Sequence, residues 1–157
     1  MALNIDRLLE DAIVVARRSP SRPRKVGAVL VLADGATALA ACNDFPAGVR
    51  DLEERHAYPE RLLWIEHAER NAIFTAARAG LSTAGATLIA TFHPCADCAR
   101  AIVQAGIADL HTLAPDYADP LWGAAFRFSR AILEEGGVRV FYLERDPDLM
   151  HASTLGN

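Results

Sequence analysis

Two short segments of this chain carry residue types at spacings that can do chemistry: His67-Ala68-Glu69 and Pro94-Cys95-Ala96-Asp97-Cys98. Cysteines at i and i+3 on a helix put both sulfurs on one face. Pro94, directly before them, follows the preference of proline for the opening of a helix. The pair is therefore placed in a first helical turn, where unpaired N–H groups and the positive end of the dipole favour thiolate over thiol. His67 and Glu69 are two residues apart, and in mid-helix they would point about 200° away from each other. They can serve one site only if His67 stands at the very start of its helix, where the incoming chain is not yet helical.

One neutral imidazole and two thiolates neutralise a zinc ion and leave a fourth tetrahedral position for water. Three protein ligands with an open position is the catalytic pattern, whereas structural zinc is closed by four. Such an ion brings the pKa of water towards ~7, and a nearby carboxylate, Glu69, can take the proton and pass it on. Each segment alone says little. A C-x-x-C pair also serves redox chemistry or half of a zinc knuckle, and a single histidine is more often structural. Their joint occurrence, each opening a helix with a strand between, favours the metal. A non-enzymatic zinc module, with Cys42 or His93 as fourth ligand, is the competing reading from another class. Glu69 argues against it, because a structural zinc has no use for a carboxylate there.

The elements that must position these residues follow from periodicity. Residues 3 to 18 repeat apolar positions at helical spacing up to Ser19-Pro20. Val26 to Ala33 reads as a buried strand, Asp34-Gly35 as a hairpin turn, and Ala36 to Cys42 as its antiparallel partner. Residues 43 to 66 are polar and long for a structureless loop, which marks them as a candidate functional loop. WIEHAERNAIFTAARAG reads as a helix closed by Gly80. Strand ATLIATF, helix CADCARAIVQAG, strand DLHTLA, helix PLWGAAFRFSRAILEEGG and strand VRVFYLE then alternate. A helix between the last two strands demands a parallel crossover. The expected architecture is a single α/β domain over 1–157, three layers α/β/α around a five-stranded mixed sheet, with a loosely attached tail from about 146.

With a net charge of −4, the whole-molecule field does not favour nucleic acid. Arg17, Arg18, Arg22, Arg24 and Lys25 nevertheless crowd around SPSRPRK, either as a solvated loop face or as a landing place for one phosphate. No apolar run is long enough for a membrane helix, and the N-terminus lacks the form of a signal peptide. The chain is expected to be cytoplasmic, where a C-x-x-C pair points to metal or redox chemistry rather than a disulfide.

The order H-x-E…P-C-x-x-C is the signature of zinc deaminases of nucleobases, and the likeness extends further. KVGAVLV resembles the first strand of the deoxycytidylate (dCMP) deaminase family, within the cytidine/deoxycytidylate deaminase superfamily. CNDFPAGVRD resembles its Asn-Gly-Phe-Pro-x-Gly loop, and HAERNAI and PCADCARAIVQAGI are similar to its two zinc segments. The resemblance covers roughly Ala12 to Leu143. It implies a cytidine-deaminase-like fold, one catalytic Zn²⁺ per chain, a homo-oligomer and hydrolytic release of ammonia from dCMP or a related pyrimidine nucleotide.

Carried over by resemblance, His67, Cys95 and Cys98 match zinc ligands and Glu69 the general acid/base. Asn43 matches the loop asparagine facing the sugar, and the backbone of Ala68 a contact to the base edge. Lys25 and Tyr117 are candidates for the phosphate side and for a lid over the base. Histidine as first ligand sets the chain apart from nucleoside deaminases, which typically use cysteine there. His93 before Pro94 sets it apart from the tRNA branch, which usually has glutamate. Asp44 replaces the family's glycine after the loop asparagine, and an anion there would repel a phosphate unless it points away. That departure keeps open the same chemistry on a free base, a nucleoside or an aminotriazine.

Overall fold

The computed structural model describes residues 2–144; the tail expected from about 146 lies outside them. The elements run α1 (Ile5–Ala16), β1 (Gly27–Val31), β2 (Ala38–Cys42), a 3₁₀ turn (Glu53–His56), α2 (Arg61–Trp64), α3 (Ala68–Arg78), β3 (Thr87–Ala90), α4 (Ala96–Gln104), β4 (Asp109–Leu113), α5 (Gly123–Glu135) and β5 (Arg139–Leu143). The strands form one mixed sheet in the order β2-β1-β3-β4-β5. β1 pairs antiparallel with β2 and β3, whereas β3–β4 and β4–β5 are parallel. This is the five-stranded mixed sheet that the pattern anticipated, with its last two strands parallel.

Alternation along β1 divides the core in two. Val29 and Val31 face α1 and pack with Ala12 and Ile89. Ala28 and Leu30 face the opposite layer, with Ala68, Ala72 and Ala76 of α3, Ala99 and Ile102 of α4 and Leu133 of α5. One helix thus covers one face and three the other. Alanines on α3 let its backbone lie close to β1 and β2, which fixes where its N-terminus emerges beside the sheet. The Asp34-Gly35 turn joins β1 to β2 with Gly35 at φ +69°, a conformation glycine adopts without steric cost.

Around the site the structure departs from the sequence expectation. The helix anticipated from Trp64 begins only at Ala68. Glu66 is instead drawn into an extended bridge with Asp44, through Asp44 N–H to Glu66 C=O at 3.0 Å and Glu66 N–H to Asp44 C=O at 2.8 Å. The 43–66 segment is also more ordered than a polar loop, since the 3₁₀ turn and α2 lie within it. Its local apolar residues are too few for periodicity to reveal them. Among the described residues no helix is long and apolar enough to cross a membrane.

Candidate active site

His67 is the N-cap of α3 and Cys95 the N-cap of α4, both with extended backbone (ψ 151° and 174°). Each side chain therefore leaves its helix before the helical twist takes hold. Cys98 sits one turn into α4, fully buried. The two helix openings meet, with His67 Nδ1 3.4 Å from Cys95 Sγ and 3.5 Å from Cys98 Sγ. The three ligand atoms lie within 4.8 Å of one another.

These donors fit a zinc ion. Tetrahedral zinc with bonds of ~2.0–2.3 Å places its ligand atoms roughly 3.6–3.8 Å apart, close to the separations seen. The protonation chemistry fits as well. The S–H of Cys98, donating to Cys95, brings the Cys95 thiol down to about 4 in spite of burial. That same bond and burial push Cys98 up. Burial pulls His67 down, but contact with Cys95 and the charges of Glu69 and Cys95 outweigh it and hold the imidazole at about 8. One thiolate, one thiol and an imidazole at this spacing are donors that a cation can take once it displaces their protons.

The site is braced from behind. Glu66 accepts from the His67 N–H at 3.0 Å and from Arg70 Nε at 2.7 Å, so an i,i+4 ion pair anchors the start of α3. Asn71 N–H donates to His67 C=O at 2.9 Å, and its side-chain amide donates to Cys42 C=O at 2.9 Å. Cys42 is buried, but it is not part of the ligand cluster.

In front of the donors lies a cavity of about 390 Å³ whose wall includes His67, Ala68, Glu69, Cys95 and Asn43. Glu69 is 3 % exposed, and burial pushes its carboxyl above the ordinary carboxylate range. Asn43 lines the cavity while bracing its neighbours: its Oδ1 accepts from Val26 N–H at 2.8 Å and its Nδ2 donates to Arg24 C=O at 2.9 Å. Ala68 is fully buried at the helix start.

Two sequence candidates do not reach the cavity. Lys25 turns back to donate from Nζ to Ser19 C=O at 2.7 Å, in a loop already tied by Ser19 Oγ to Asn43 C=O at 2.6 Å. Tyr117 stands outside the wall and stacks under the guanidinium of Arg127 at 4.7 Å. Asp44 likewise faces elsewhere, its carboxylate accepting from Phe45 N–H at 2.7 Å. The repulsion foreseen for it does not arise at the wall.

Residues that motif spacing did not single out complete the cavity: Arg24, Arg61, Phe92, Trp122 and His93. Arg24 was visible only as one charge in a basic cluster, and its neighbour Arg22 is spent on an exposed ion pair with Glu53. Trp122 looked like part of a helix, but it precedes α5 and meets the His67 ring edge-on, centroids 5.5 Å apart. His93 is 4 % exposed, with its Nε2 3.3 Å from Ser129 Oγ and, among the described residues, no partner for Nδ1.

Comparison with known proteins agrees with this geometry. Residues 3–114 match the family model described as the cytidine and deoxycytidylate deaminase zinc-binding region. A probable deoxycytidylate deaminase of Drosophila melanogaster is 28% identical over 144 residues, covering 85% of this chain and 68% of that protein. The deoxycytidylate deaminase of Enterobacteria phage T2 is 45% identical over 76 residues, which span 48% of this chain but only 37% of the phage protein. Among solved structures, the dCMP deaminase of cyanophage S-TIM5 in complex with dCMP and dUMP superposes with a TM-score of 0.71 at 25% identity, covering 91% of this chain and 99% of that one.

Proposed function

The chain belongs to the cytidine and deoxycytidylate deaminase family, and on that premise we propose that it acts as a single deaminase domain that hydrolyses the amino group of dCMP or a closely related pyrimidine nucleotide. The observation that carries the reading is Glu69. It is a buried carboxylate with its affinity for a proton raised, on the wall of the cavity and two residues from a metal-ligating histidine.

His67, Cys95 and Cys98 would hold the zinc ion, which would supply Lewis acidity that makes water acidic near neutral pH. Glu69 takes a proton from the attacking water and delivers it to the ring nitrogen beside the amino-bearing carbon. The water oxygen adds to that carbon; Glu69 then takes the remaining proton of the new hydroxyl and passes it to the amino nitrogen, so that the carbon–nitrogen bond breaks, ammonia leaves and the carbonyl forms. Water and an amidine thus become ammonia and a carbonyl. One carboxylate acts as base and then as acid, which requires a pKa nearer the working pH than an exposed glutamate has. Burial provides that rise. Trp122, Ile65 and Leu121 supply apolar wall that keeps bulk water from the reacting carbon.

The substrate class is read from the cationic side of the cavity. Arg24 and Arg61 both line it, and Asn43 stands beside Arg24. Guanidinium groups recognise phosphate oxygens by charge-assisted hydrogen bonds, so a 5′-phosphate is placed there, with the base towards Glu69. The similar cyanophage dCMP deaminase, in complex with dCMP and dUMP, supports a nucleotide as the substrate class. An ammonia-release screen over cytosine, deoxycytidine, dCMP, dCTP and aminotriazines tests the reading. The expected outcome is a clear preference for dCMP. Equal efficiency on deoxycytidine contradicts a nucleotide substrate and leaves the zinc chemistry with another amino-heterocycle.

A further inference from the structure

One carboxylate ties together two walls of the cavity. Asp119, in the loop between β4 and α5, accepts from Arg24 Nη2 at 2.8 Å through Oδ2. Through Oδ1 it accepts from the backbone N–H of Leu121 and of Trp122, each at 2.9 Å. Only 13 % of its side chain is exposed, and the hydrogen bond from Arg24 holds its carboxyl below the usual carboxylate range. The guanidinium of Arg24 lies over the Phe92 ring, 4.7 Å from its centroid. Trp122, whose amide Asp119 caps, presses edge-on against His67. Arg24, Asp119, Trp122 and His67 are thereby linked in series, from the anion-recognising side of the cavity to the metal ligands.

We propose that Asp119 is a positioning residue for substrate recognition: it orients Arg24 for the anionic group of the substrate and, with its other oxygen, seats the Trp122 wall against His67. The inference rests on the reading of Arg24 as the group that meets a 5′-phosphate. A free arginine side chain must be ordered when the ligand arrives, at an entropic cost to affinity. Arg24 is ordered beforehand, by the Phe92 face below and the Asp119 oxygen beside it. A guanidinium carries five N–H donors in a fixed fork, and the bond to Asp119 engages Nη2, so donors remain for a phosphate. The opposite expectation is also physical, since a carboxylate on Arg24 competes with an incoming anion. Geometry favours the organising role, because the same carboxylate is anchored by two backbone amides and cannot follow the guanidinium.

The test is a double-mutant cycle on the zinc-loaded protein, read as KM for dCMP and as calorimetric Kd for the product dUMP, with deoxycytidine as the uncharged control. R24A alone is expected to weaken dCMP and dUMP while hardly moving deoxycytidine. If R24A moves dCMP and deoxycytidine equally, the phosphate reading of Arg24 fails and this inference falls with it. D119N keeps an oxygen for the Leu121 and Trp122 amides but loses the charge on Arg24. It is expected to raise KM and Kd about tenfold, the scale of one lost charge-assisted hydrogen bond, and to add nothing further in the R24A background. Should D119N not fold, D119S, which retains a capping oxygen, is read in the same cycle. An equal effect in both backgrounds, or tighter dCMP and dUMP binding in D119N, overturns the proposal while leaving the Arg24 reading intact.

Discussion

His67 Nδ1 lies 3.4 Å from Cys95 Sγ, although the two stand 28 positions apart in the chain, with all of α3 and all of β3 between them. Both are N-caps, and what brings them together is the approach of two helix openings beside one sheet. With Cys98 Sγ 3.5 Å from the same nitrogen, three ligand atoms converge where one cation could be held.

Zinc binding should therefore be stoichiometric and acid-labile. The purified protein is expected to hold about one zinc per chain, and Cys95→Ala or Cys98→Ala should lose it, whereas Cys42→Ser should retain it. Binding needs both thiolates and a neutral imidazole, yet Cys98 is pushed up and His67 held at about 8. Uptake must then expel protons, so affinity should fall as pH falls below about 8. Competition titration with a chelator at several pH values checks the sign. An affinity independent of pH between 6 and 8 contradicts this ligand set.

Stability should carry an acid limb from His93. Burial, with Arg130 nearby, pushes its imidazole down to about 4, against an ordinary value of 6.5. Between those values the unfolded chain binds a proton that the folded chain refuses. Stability is therefore full above pH 6.5, declines as pH falls and levels off below 4. Up to about 3 kcal/mol is at stake. His93→Phe should flatten that limb in urea unfolding measured at pH 7 and pH 5, whatever it costs at neutral pH. An unchanged difference between the two pH values excludes His93 as its source.

Gly27 should tolerate no side chain. A Cβ there would stand 1.8 Å from the carbonyl oxygen of Ala12 and 2.8 Å from its carbon. Both are backbone atoms of a helix packed on the strand, so α1 would have to move. Gly27→Ala is expected to destabilise by about 3 kcal/mol or more, read as a lowered urea midpoint. A shift below half a kcal/mol would mean that α1 is not seated on β1 as described.

Much of the site was legible because the chemistry depends on local order. His-x-Glu works only at a helix opening, and Pro-Cys-x-x-Cys marks another, so the His67 and Cys95 geometry followed from spacing before any fold was known. The parallel last pair followed from the helix between β4 and β5, whereas the strand order did not. The cationic wall was not legible in the same way. Arg22, Arg24 and Lys25 are near neighbours in sequence, yet one reaches Glu53, one Asp119 and one a carbonyl of its own loop. Partners 31 and 95 residues away decide which charge faces the cavity. Spacing carries no trace of them. Trp122 was hidden for a related reason: its place at the opening of α5 is set by the Asp119 turn, and its contact with His67 joins residues 55 positions apart.

Arg24, and not Lys25, should carry the preference for a phosphorylated substrate. Arg24→Ala is expected to raise KM for dCMP by about 10- to 100-fold, corresponding to ~1.5–3 kcal/mol for a hydrogen bond to a charged group, with deoxycytidine little affected. Lys25→Ala should have no such selective effect, since its ammonium is turned to Ser19. Initial-rate measurements on the two substrates decide between the residues, and a selective loss in the lysine variant would reverse the assignment.

The central claim, that a buried Glu69 carries both protons, is tested most directly by Glu69→Gln. Glutamine keeps the volume and a hydrogen-bonding end but cannot exchange a proton at neutral pH. With the ligands His67, Cys95 and Cys98 untouched, zinc content should remain at about one per chain and dUMP should still bind. Steady-state assay on dCMP should give a kcat lower by at least the ~10²–10⁴ that loss of general acid–base catalysis removes. Near-normal turnover by a zinc-loaded Glu69→Gln protein would contradict the mechanism outright, however well the three ligands hold their metal.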